Sequence, residues 1–248
     1  MTIKTARKWT TGLVGASLLL ALAGCGQSQT TSPAAETASS TPAPAQMAAP
    51  AETAAPVASS TMSPAARTAE AFEATTEQAF SADASQLHAL LAETKAAVAQ
   101  LRPSLPAATA EQLDVRNNEI ELAIQAGNSV DIAIAAVEGF RLTVESMPGD
   151  ANHPQQVSLL DYAGFRIQAD LTATPPRWDD TDAAIAYADG QWAEIAGQLS
   201  DLALRDRFAA SLAALRAAIE TRNLDVATTA VTLELDLVDE LESAFAGQ

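Results

Sequence analysis

Apolar residues change their period near residue 64. From there they recur at steps of three and four, the spacing that lines one face of an α-helix. Phe80, Ala84, Leu87, Leu91, Thr94, Val98 and Leu101 form the first such row, and Pro103 ends it. Residues 65–79 are more weakly patterned and read either as an extension of this helix or as a frayed end. A second helix is expected over 106–126, with Gly127 as its stop. Ser129 is the expected N-cap of a third, whose face is Val130, Ala133, Val137, Phe140, Val144 and Met147. The segment MPGDANHP then breaks the chain. A fourth helix is expected over 155–171, interrupted by TPP. The fifth has the clearest row: Trp178, Ile185, Ala188, Trp192, Ile195 and Leu199. The pattern leaves open whether the fourth and fifth form one kinked rod. A sixth row runs Phe208, Leu212, Leu215 and Ile219; the last runs Leu224, Ala227, Val231, Val238, Leu241 and Phe245. No segment alternates as a strand would. The expected fold is all-α, an antiparallel helical bundle of the four-helix type over 64–248.

A fragment of the pattern repeats. AIQAGNSVDIAIAAV at 123–137 resembles AIETRNLDVATTAV at 218–231 with one gap. In both, a helix ends, a capping residue follows, and an aspartate enters the next first turn, where the helix dipole favours it. Two readings stand: two related helical hairpins, or convergence of helix turns on the same residues. No short fixed period marks a solenoid.

Composition supports helices over sheets. Hydrophobic residues make up 48% of the 248-residue chain but aromatics only 4%, which suits thin, alanine-rich helix contacts. The net charge is −17; without Lys4, Arg7 and Lys8, which lie in an N-terminal leader, it becomes −20. Such a surface repels nucleic acid and anionic lipid and attracts cations or a basic protein partner; a plain solubility role is the simpler reading.

The leader has three ordered parts. Lys4, Arg7 and Lys8 form a positive region, Leu13–Ala23 an apolar run too short to span a bilayer, and small residues precede Cys25, the chain's one cysteine. Leu22-Ala23-Gly24-Cys25 resembles the lipobox of bacterial lipoproteins. That resemblance implies a signal peptide over 1–24, a diacylglycerol on the Cys25 thiol and acylation of the new amino group. Two or more chains hold a protein firmly at a membrane. In that family an aspartate after the cysteine favours the inner membrane; Gly26 stands there instead, which implies the periplasmic leaflet of the outer membrane. The resemblance covers about the first tenth of the chain. Residues 26–63 are poor in bulky side chains, rich in Ala, Pro, Ser and Thr, and free of Lys and Arg. They read as a disordered linker with a typical end-to-end distance of roughly 35 Å.

Chemistry is sparse. His88 and His153 belong to no Glu-x-x-His or His-Glu-x-x-His pattern, and no nucleophile elbow, phosphate loop or haem attachment site is present. No catalytic residue, metal ligand or cofactor is assigned beyond the lipid on Cys25, and the protein is not read as an enzyme. Asp179, Asp180 and Asp182 either serve a helix start or offer oxygens to calcium. Asp236, Asp239 and Glu240 share one face of the last helix, and Glu234 falls on its apolar row. Like charges at this spacing repel. Either an arginine such as Arg166, Arg205 or Arg216 answers Glu234 internally, or the face receives a cation or a basic partner. Trp178, Tyr187 and Trp192 either fill the core or line a groove for an apolar ligand or partner helix. The expected function is a lipid-anchored periplasmic binding or scaffold module for another envelope protein. The alternative is a bundle that binds a small ligand or metal cation.

Overall fold

A computed structural model describes residues 62–247. The expected signal peptide, Cys25 and all of the expected linker up to residue 61 lie outside the described residues.

Eight helices make up the described chain: α1 Pro64–Gln78, α2 Ala84–Leu101, α3 Ala107–Ala126, α4 Ser129–Glu145, α5 Gln155–Thr172, α6 Trp178–Ile195, α7 Leu202–Glu220 and α8 Leu224–Ala246. No strand is present among them. The all-α expectation holds. Most starts are capped as local chemistry dictates. Ser63 Oγ accepts from Ala66 N–H, with Pro64 in the first helical position. Asp83 and Gln86 form a reciprocal capping box at 2.8 and 2.9 Å. Asn128, Asp201 and Asn223 accept from the backbone of Asp131, Leu204 and Val226.

Two expectations about elements need correction, and one open question is answered. Residues 65–79 are neither an extension nor a fray. They form α1, which buries Thr68, Ala69, Phe72, Thr75 and Thr76. Its buried threonines satisfy their hydroxyls on carbonyls four residues back, at 2.8–3.0 Å. The capping box at Asp83 then starts a new helix, so Phe80 leaves the row and sits 39% exposed in the turn. The cap of α4 is Asn128, not Ser129, because the left-handed Gly127 (φ 64°) turns the Asn128 side chain onto Asp131 N–H. The open question falls to two helices: the expected fourth and fifth, at 155–172 and 178–195, are folded back on each other and joined through a cis Thr174–Pro175 bond.

The packing is two four-helix rings. α1 packs on α2 and α4, and α3 on α2 and α4; α5 packs on α6 and α8, and α7 on α6 and α8. Contact between α4 and α5 joins the rings. Cross-helix pairs fix an up-and-down order. Lys95 of α2 and Arg102, just past its end, meet Glu121 and Asp114 of α3. Trp192, Asp189 and Asp182 of α6 meet Phe208, Arg216 and then Arg222 at the far end of α7. One end of the molecule therefore carries the start of α1. The other carries the Gly127 corner, the α5–α6 connection and the Arg222 corner.

The rings are versions of one plan. A shift of 94 residues takes Leu91, Val98 and Leu101 of α2 onto Ile185, Trp192 and Ile195 of α6. A shift of 95 takes Leu113, Ile120 and Ile124 of α3 onto Phe208, Leu215 and Ile219 of α7. All but Trp192 are buried, and Trp192 packs half-buried against the core. A single 3-10 turn follows both α2 (Arg102–Ser104) and α6 (Ala196–Gln198). The left-handed corner recurs as well, at Gly127 and at Arg222 (φ 51°). The repeated unit is thus four helices, larger than the hairpin of the first of the two readings.

Candidate functional site

The sequence-expected residues fall in three places. Trp178 opens α6 at the corner end, half-buried. The Arg222 guanidinium lies 5.4 Å from its ring centroid, donates to its carbonyl at 3.1 Å, and pairs with Asp182 at 2.7 Å. Asp179 lies 3.8 Å from Arg222, and Asp180 lies 3.8 Å from Arg166. The three aspartates are thus distributed among arginines and the start of α6 rather than gathered on one point.

Tyr187 and Trp192 lie further along α6. Trp192 tilts against Phe208 with ring centroids 4.6 Å apart, and Tyr187 meets Tyr162 edge-on at 5.3 Å. Trp178, Tyr187 and Trp192 are all half-buried and packed against the core. Tyr187 is pushed up to about 12 by burial and by Glu145.

Tyr162 and Arg166 belong to a polar network whose α4 members, Glu138, Arg141 and Glu145, the sequence did not connect to them. The Tyr162 hydroxyl donates to Glu138 of α4 at 2.9 Å. Arg166 donates to Glu138 at 2.7 Å and to Asp170 at 2.9 Å. Arg141 bonds Glu138 and Glu145 and lies over the Tyr162 ring at 5.7 Å. Burial pushes the Tyr162 phenol up, and the Glu138 carboxylate adds to it. Burial also raises Asp170, with Arg166 opposing the shift. These groups lie where the two rings meet, on α4, α5 and α6. The sequence signal was weak: Glu138, Arg141 and Glu145 have helical spacing, but their partners lie a helix away.

The acidic tail divides. Glu234 is 1% exposed, inside the second ring against Gly164 of α5. Arg166, Arg205 and Arg216, the arginines expected to answer it, are bonded to Glu138 and Asp170, to Asp206 and to Asp189. Arg207 holds Glu240 through two hydrogen bonds of 2.8 and 2.9 Å. Asp239 is half-buried and engaged within the fold, and Asp236 is exposed. Asp236, Asp239 and Glu240 therefore make no uniform acidic face. Asp239 and Glu240 border a shallow open depression with Asp201, Leu204, Ser243 and Ala244.

His88 and His153 are both exposed, and His153 lies 3.3 Å from Asp150. Among the described residues, no three metal-ligating side chains converge. No described helix is long and apolar enough to cross a membrane.

The charge distribution is one-sided. Setting aside Lys4, Arg7 and Lys8 leaves 11 of the 14 basic residues in the folded part; setting aside Glu36 and Glu52 leaves 29 of the 31 acidic ones, a net −18. Every basic residue from Lys95 onward is in an ion pair. The excess outward charge is acidic. No family model, curated protein or solved structure matches the chain.

Proposed function

We propose that this protein is a lipid-anchored module of the bacterial periplasm that acts by binding another envelope protein, as an accessory or scaffold. Cys25 carries the lipid, the linker gives reach, and the helical domain presents its surface to the partner. The outer membrane's periplasmic leaflet is the proposed location. The supporting observation is the charge balance: the domain's cations from Lys95 onward are engaged with its own acids, which leaves an excess of carboxylates, exposed Asp225 and Asp236 among them. Such a surface selects a basic partner at close range and steers its approach.

Chemical cross-linking in cells, followed by identification of the captured protein, tests the proposal. One dominant envelope partner is expected, with capture reduced when Asp236 and Glu240 are changed to Lys. Labelled palmitate is expected in the wild-type chain and not in Cys25→Ser. A large thermal shift with one divalent cation or small metabolite, together with no reproducible cross-linked partner, would overturn this reading.

A further inference from the structure

We infer that the outer face of the α7–α8 hairpin is the docking surface, and that it receives a basic amphipathic helix of the partner. This rests on the proposed binding role and names the partner class and its place.

Val226 and Leu233 of α8 are half-exposed at 50% and 51%. They are seven residues apart, two turns along one helix face. The next member of that row is Glu240, which Arg207 of α7 holds. The row therefore runs along the edge shared with α7. The antiparallel register that pairs Arg207 with Glu240 sets Ala214 abreast of Leu233 and Thr221 abreast of Val226. Ala203, Ala210 and Ala214 are exposed on that side of α7. Small residues on one helix and larger apolar ones on the other make a groove into which an apolar ridge can settle.

Charge decides the occupant. Asp225 precedes Val226, and Asp236 lies three residues beyond Leu233; both are exposed, and neither has an ion pair among the described residues. Among the described residues, the cations nearest the row are paired: Arg207 with Glu240, and Arg222, next to Thr221, with Asp182. The rim thus lacks unpaired positive charge and offers carboxylates to Lys or Arg flanking an apolar stripe. A second copy's folded part would bring another net −18 against it, and an anionic lipid surface would be repelled as well. A second exposed apolar row, Val115 and Leu122 of α3, is flanked by Arg116 and by acids that are mostly paired, Asp114 with Arg102 and Glu121 with Lys95, with the exposed Glu111 one turn before Val115.

The test uses full-length protein in detergent and a synthetic amphipathic Leu/Lys helix of about five turns. The peptide is expected to bind, more weakly as salt rises. The double variant Val226→Ser/Leu233→Ser is expected to bind about tenfold more weakly, and Asp225→Asn/Asp236→Asn to lose part of the salt dependence. Val115→Ser/Leu122→Ser should bind as wild type. Circular dichroism melts confirm that each variant folds. Equal loss from the α3 and α8 variants would overturn the assignment. So would sedimentation showing dimers that dissociate in Val226→Ser/Leu233→Ser, or binding to neutral lipid vesicles lost in that variant. If peptide binding behaves as expected while cross-linking in cells captures no partner, the proposed role fails and the surface stands.

Discussion

Arg222 occupies a backbone conformation that its counterpart Gly127 adopts without strain. It is held there by the Trp178 ring and carbonyl and by Asp182. Removing the side chain separates the two effects. Arg222→Ala loses the clamp and keeps the strained φ, whereas Arg222→Gly loses the clamp and relaxes φ. Chemical denaturation should find Arg222→Gly more stable than Arg222→Ala by about 1 kcal/mol. The two tyrosines offer a second check at this scale. Burial disfavours both phenolates, so each is protonated in the fold above the ordinary value of about 10. A raised pKa here means that the stabilisation is present below about pH 10 and is lost as pH rises through the folded values. Ultraviolet titration should show little phenolate at about pH 10.5, with stability falling from that point upward. Residue identity was legible where a position has one local job, such as the stop at Gly127. Ser129 against Asn128 was not, because either residue caps and only the turn geometry chooses between them.

Among elements, the contacts of α1 with α4 and of α5 with α8 solve one packing problem in opposite ways. In the first ring α1 supplies the bulk, Phe72, and α4 supplies Gly139; a methyl at Gly139 would collide with the Phe72 ring. In the second, α5 supplies Gly164 and α8 supplies Glu234 and Leu235. Gly139→Ala should cost about 1–3 kcal/mol. Adding Phe72→Leu should recover part of that loss, so the double variant costs less than the two single changes together in urea denaturation. Rows of three and four found seven helices with nearly correct ends. They missed α1 because its buried face is largely threonine, whose hydroxyls are satisfied inside the helix. The exchange of large and small residues also explains why the repeat was visible only as a short corner fragment. Corners constrain sequence through φ and capping, while a core contact constrains only the combined volume of two helices.

At the scale of the whole molecule, the surplus of carboxylates sets behaviour. Self-repulsion at net −18 should outweigh the exposed ion pairs, each of which contributes little. Raising NaCl from about 20 to about 200 mM should therefore raise Tm by a few degrees; a fall would show that the pairs dominate. Class and acidity were legible from composition and period. The candidate surface was only half legible. The tail acids stood out by their spacing, but which of them are buried, paired or open depends on α5 and α7, far away in sequence. The most direct test of the account places a photo-activatable cross-linker at Leu233 in living cells, with Leu122 as the comparison site and Cys25 either intact or changed to Ser. One adduct with a basic envelope protein is expected from position 233, absent from 122 and weakened in Cys25→Ser. Equal adducts from both positions, or an adduct indifferent to Cys25, would contradict it.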